Sequence, residues 1–147
     1  MKPSDVRARI LTEHAEIRAI LDRLESVAQA LRSGKRARFK DAEALRESLC
    51  AKLFSHIDLE DAILAPALRA ADAWGPERAA QLLEHHREQR AELTALARVE
   101  GLEPAMRGER LHRLVEYIRD DMRHEESGLL DPNLLRDDVI GVAVEGG

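Results

Sequence analysis

An all-α chain folded as an up-down-up-down four-helix bundle is what this sequence predicts, and three observations carry the prediction. Apolar residues recur at alternating steps of three and four through four long stretches, the phase of a single buried helical stripe. Short breaks at Gly34, at Gly75 with Pro76, and at Gly101 with Pro104 separate them, and connections that short join antiparallel neighbours. Aromatic residues are only 3% of the chain, so the interior must be built from Leu, Ile, Val and Ala.

The first stretch runs Val6, Ile10, His14, Ile17, Leu21, Leu24, Ala28 and Leu31. It predicts a helix over about 5–33, with Ser4 as N-cap behind Pro3 and Gly34 as C-cap. The second carries Ala42, Leu45, Leu49, Leu53, His56, Glu60, Ile63 and Ala67, and Pro66 inside it should kink the helix. The third opens at Gly75, with Pro76 suited to a first turn, and continues through Ala79, Leu82, His86, Gln89, Leu93 and Leu96. The fourth carries Leu111, Leu114, Ile118, Asp121, Glu125 and Leu129, loosening at Gly128 and Pro132. The terminal DDVIGVAVEGG has an apolar patch without helical period, so it either docks on the bundle or stays mobile. Residues 1–147 therefore read as one domain, with a core at about 5–132 and a tail at 133–147.

Several function classes are disfavoured by composition. With 23 basic and 28 acidic residues, net charge −5, and the basic residues scattered, no nucleic-acid partner is expected. The eight glycines form no phosphate cradle. No apolar run approaches the ~18 residues of a membrane span, so no membrane association is expected. The opening MKPSDVRARI lacks the apolar region of a secretory signal, and the lone Cys50 has no internal disulfide partner, so a cytoplasmic location is expected.

Six ionisable residues interrupt the apolar stripes: His14; His56 with Glu60; His86; and Asp121 with Glu125. Burying such groups bare costs roughly several kcal/mol each, so they need opposite charge, hydrogen bonds or a metal. Taken singly, His14 or His86 on a core stripe is more often a hydrogen-bonded core histidine than a ligand. Together they form a ligand set, because two helices offering one donor and two offering a pair at i, i+4 converge inside a bundle. Imidazoles with carboxylates suit iron or manganese, and the absence of thiolates makes zinc less suited. Asp121 has an alternative as a surface partner of Arg119 or Arg123. His112 is read as solvent-facing, Tyr117 and Met122 as packing, and Cys50 as a small buried hydrophobe.

The two halves resemble each other. EHAEIRAIL around His14 aligns with HHREQRAEL around His86, and HIDLEDAILAP from His56 aligns with DMRHEESGLLD from Asp121. This pattern predicts a duplicated helical hairpin, its copies facing each other across a pseudo-twofold axis. Asp121 stands where the first copy has His56.

The series His14, His56-x-x-x-Glu60, His86 and Glu125 resembles the hemerythrin-like, HHE cation-binding domains, over nearly the whole chain. That resemblance implies a hemerythrin-like four-helix bundle holding a non-haem di-iron centre, with His14, His56 and His86 as terminal ligands and Glu60 and Glu125 bridging. The family pattern places a histidine where Asp121 stands, so an oxygen ligand or an incomplete site is implied there. His124 beside Glu125 and His85 beside His86 are the nearest substitutes. The implied ligand is a small diatomic or oxidant: oxygen, nitric oxide or peroxide. The alternatives are an iron-binding or storage protein without catalysis, and a metal-free interaction bundle with a degenerate site.

Overall fold

The structure is a computed structural model and describes residues 1–138. The described part is helical: α1 Pro3–Arg32, α2 Phe39–Leu59, α3 Ala65–Ala71, α4 Gly75–Leu96 and α5 Pro104–Ser127. A 3₁₀ turn at Arg36–Arg38 leads into α2, and a π turn at Glu60–Leu64 joins α2 to α3 without a break, so the elements make four rods.

The first helix starts earlier than the sequence predicts. Pro3 occupies its first turn, where a missing N–H costs nothing, and Lys2 precedes it. Ser4 is therefore not the N-cap. Its backbone N–H and its hydroxyl instead both donate to the Asp137 carboxylate, at 2.9 and 2.7 Å. The other end follows prediction: Gly34 adopts φ 85°, donates to the Leu31 carbonyl, and lets Lys35 N–H reach back to Ala30. That is a Schellman closure, open to glycine because no Cβ resists the left-handed turn.

Pro66 acts through the π turn. It has no N–H for the Ala62 carbonyl and crowds that group, and the widened turn absorbs the mismatch by letting Ala65 N–H reach the Glu60 carbonyl. The rod continues through Pro66 to Ala71.

Pairings along the rods fix the topology. Ser4–Asp137, His14–Glu126, Asp22–Arg119 and Glu25–His112 run in opposite directions along α1 and the α5 end of the chain. His86–Asp61 and Arg90–Asp58 do the same between α4 and the second rod. Each rod is thus antiparallel to its neighbours, as the short connections require. Where α5 crosses α1, Gly108 lies against backbone: an added Cβ would fall 2.5 Å from the Ala28 carbonyl oxygen and 2.7 Å from Arg32 N. Gly108→Ala should therefore lower stability by about 1–3 kcal/mol, because backbone cannot swing aside as a side chain can. Equilibrium urea unfolding checks this, and an unchanged midpoint would refute the tight crossing.

The core is two apolar clusters. Ile17, Leu21, Leu53, Ile57, Leu93, Ile118 and Met122 belong to one, and Val6, Ile10, Leu64, Leu68, Leu82, Leu130 and Leu135 to the other. On each rod the switch between them falls at the polar residues of the stripe: His14, His56 with Glu60, His86, and Glu125. A polar layer thus crosses a Leu-rich interior. The described start of the tail docks, through Leu135 and Asp137, and the rest of DDVIGVAVEGG lies outside the described residues. Among the described residues no helix is long and apolar enough to cross a membrane.

Candidate metal centre

Four of the six stripe residues converge. His14, His56, Glu60 and Glu125 each offer a ligand atom, all within 4.8 Å of one another. His14 Nε2 lies 3.2 Å from Glu125 Oε1, His56 Nε2 lies 3.1 Å from Glu60 Oε1, and the two imidazole rings are 4.9 Å apart. His86 joins through Glu60, its Nε2 3.6 Å from the same Oε1. The three histidines and Glu60 are each at most 5% exposed. Helical phase explains the convergence, since the i, i+4 spacing of His56 and Glu60 stacks both on one face.

Behind this inner group lies an outer one that the stripe did not reveal. His14 Nδ1 donates to Glu126 at 2.7 Å, and Arg18 donates to both Glu126 oxygens at 2.8 Å. His86 Nδ1 donates to Asp61 at 2.5 Å, and Arg90 to Asp61 at 3.0 Å. The two relays are copies: Arg18 aligns with Arg90 and Glu126 with Asp61, so the repeat itself was the signal. Each relay crosses the pseudo-twofold, the carboxylate of one half holding the histidine of the other. Both histidines are thereby turned with Nε2 inward, the arrangement metal-binding histidines adopt.

Asp121 sits apart from the four-residue cluster and one-quarter exposed. His85 Nε2 donates to its Oδ1 at 2.8 Å and Gln89 Nε2 to its Oδ2 at 2.7 Å. It does not take the surface alternative, for Arg119 pairs with Asp22 and Glu116, and Arg123 with Asp120. Of the substitutes, His85 is directed to Asp121 rather than to Glu60, and His124 is exposed. His112 departs from its solvent-facing reading: it is partly buried and 2.8 Å from Glu25, because α1 runs alongside it. Glu25, His112 and Glu116 also bring ligand atoms within 4.8 Å. There Glu25 is already hydrogen-bonded to the His112 ring and Glu116 faces Arg119.

A family profile described as the Hemerythrin HHE cation binding domain matches residues 5–131. The chain belongs to this family. No curated protein and no solved structure matches it significantly. Cation binding is the property for which the HHE family is described, and the buried His/Glu cluster is the candidate place for it.

The electrostatics of the HHE cluster suit a cation. Burial pushes the Glu125 carboxyl up, and the neighbouring Glu60, Asp121 and Glu126 push it further, well above the usual range. Burial also acts upward on Glu60, but hydrogen bonds from Glu125, His56 and His86 outweigh it and hold that carboxyl well below the usual range. Two facing carboxylates thus keep one proton between them when no cation is there. Burial lowers His14 despite its bond to Glu126, favouring the neutral imidazole that a metal needs. Burial acts the same way on His86, but its bonds to Glu60 and Asp61 prevail and raise it. Glu60 Oε2, Glu125 Oε1 and His56 Nδ1 are buried without a hydrogen-bond partner. Lone pairs left unpaired in a core are costly, and a bound cation satisfies the carboxylate ones.

Proposed function

We propose that this HHE domain holds a non-haem di-iron centre and uses it to bind, sense or react with a small oxidant or diatomic such as oxygen, nitric oxide or peroxide. The buried convergence of two imidazoles and two carboxylates within 4.8 Å, with His86 adjoining through Glu60, is the observation that carries it. His14 and His56 would hold one iron, His86 and Asp121 the other, and Glu60 and Glu125 would bridge them. Iron in such a site supplies redox chemistry and a coordination position for a small ligand. Roughly, three carboxylates against two divalent ions leave one net positive charge, far better than three bare anions.

The protein's own part is positional. Asp61 and Glu126 fix the imidazole tautomers, Arg90 donates to Asp61, and Arg18 holds the Glu126 carboxyl below its usual range. Leu and Ile layers on both sides exclude bulk water. An open pocket of about 410 Å³, bounded by Arg78, Leu82, His85, Asp121, His124 and Glu125, reaches the site from outside. A small uncharged molecule fits that route; manganese and zinc remain less suited occupants than iron.

Elemental analysis with the ultraviolet-visible spectrum of aerobically purified protein tests the reading. About two irons per chain with near-ultraviolet charge-transfer bands are expected for a carboxylate-bridged bundle site. Absence of iron after reconstitution under reducing conditions would leave the metal-free interaction bundle. Iron that exchanges freely and ignores oxygen and peroxide would leave the storage reading. The relays give a further expectation: Glu126→Ala should weaken metal binding about 10- to 100-fold by freeing the His14 ring. Chelator competition reads the loss, and an unaltered affinity would remove the relay from the account.

A further inference from the structure

The repeat places Glu13 over His85 and His56 over Asp121. In the first half the outer carboxylate Glu13 faces the Nδ1 of the inner His56, at 3.8 Å. In the second half the same two places hold the opposite chemistry: the outer residue is the imidazole of His85, and the inner one is the carboxylate of Asp121, 2.8 Å apart. In hydrogen bonding the exchange is one-sided, since His56 Nδ1 has no hydrogen-bond partner and Asp121 has two. Histidines 14 and 86 have acceptors behind them, in Glu126 and Asp61, whereas Asp121 has donors behind both its oxygens, from His85 and Gln89. Gln89 is buried and aligns with Ile17, so an apolar residue in one half has become an amide donor where the other half has a carboxylate to support. A site decaying through loss of a histidine gives no reason for its neighbours to match the replacement.

We infer that the two metal positions are chemically unlike by construction, with His14 and His56 making the first nitrogen-rich and His86 with the His85- and Gln89-supported Asp121 making the second oxygen-rich, so that the two positions, each able to hold iron, differ in how strongly they discriminate among other divalent ions. The inference rests on the metal-centre reading above. Imidazole suits iron and zinc, whereas carboxylate oxygens favour a harder ion such as manganese. The first position accordingly discriminates against manganese, and the second does so far less. Glu60 and Glu125, shared by both positions, contribute nothing to the difference.

The test is stepwise loading of the metal-free full-length chain with Zn²⁺ and Mn²⁺, each measured by chelator competition. The zinc-over-manganese preference should be at least about tenfold smaller for the second ion than for the first, the scale on which ligand and outer-residue changes act. Protein given one equivalent of zinc and then excess manganese should hold one of each, with the paramagnetic resonance of an isolated manganese ion and no manganese-pair signal. The double exchange His85→Glu with Asp121→His should bring the two preferences together, with zinc and zinc pairs favoured. Asp121→His alone, which keeps the helix surface intact, should move them the same way. Equal preferences at both positions in the unaltered chain, or preferences that neither variant moves, overturn this inference and leave the metal centre standing. Binding of neither ion overturns both.

Discussion

Glutamine in place of Glu125 should raise the melting temperature of the metal-free protein and at the same time remove most of the stabilisation it gains from metal. The two effects have one cause. Glu60 and Glu125 face each other in a buried layer, and without a cation folding must keep a proton on Glu125, whose carboxyl lies well above its usual range. A glutamine amide presents a donor to Glu60 with no proton to retain, so folding no longer carries the cost of protonating that carboxylate at neutral pH. The gain should be about 1–3 kcal/mol, a few degrees in melting temperature. A cation needs the second carboxylate, and the variant offers only a neutral oxygen in its place, so binding free energy shared with folding falls away. Thermal melts with and without iron or manganese, for both proteins, check the pair of effects. A metal-free variant that melts lower than the unaltered chain would show the carboxylate pair to be stabilising by itself.

Much of this arrangement was legible because helical phase is a strong signal. His14 replaces an apolar residue between Ile10 and Ile17, and that position alone predicts a side chain in the layer where the two apolar clusters meet. Family membership follows from the same residues. What was not legible depended on groups a step off the stripe. Glu126 and Asp61 follow Glu125 and Glu60 by one residue, where a helix would ordinarily turn a side chain toward the flank; they bind His14 and His86 because those histidines come from neighbouring rods. Spacing within one helix carries no information about that. Ser4 misled for a related reason: a serine near a helix start reads as a cap, but its partner Asp137 lies at the far end of the sequence. The π turn was half legible. Pro66 announces that the helix must deform, and the structure places the deformation one turn earlier, at Glu60–Leu64, where the successive carboxylates Glu60 and Asp61 face the two ring nitrogens of His86.

The stability of the metal-free protein should vary with pH in a way set by the same carboxylate pair. Both glutamates ionise near 4.5 in an unfolded chain, whereas in the folded one Glu60 is held below that value and Glu125 well above it. Below the ordinary value the unfolded pair binds two protons and the folded pair one, so stability rises as pH rises. Above it the unfolded pair binds none while the folded pair still binds one, so stability falls until Glu125 itself gives up its proton. The contribution therefore peaks near the ordinary glutamate value, with a limiting slope of about 1.4 kcal/mol per pH unit on either side. Two histidines act around neutrality in opposite directions. His14, lowered by burial, adds stability as pH rises toward 6.5, and His86, raised by its carboxylate bonds, loses stability as pH rises beyond 6.5. Comparison with Glu125→Gln isolates the pair from both, since the variant retains the histidines. Urea unfolding from pH 4 to 8 should show the unaltered metal-free protein losing its stability relative to the variant as pH rises. A bound cation displaces the shared proton, so the loaded protein should lose this alkaline decline, and metal uptake should release protons in return. A difference between the two metal-free proteins that stays constant across the range would mean that Glu125 does not hold a proton in the fold.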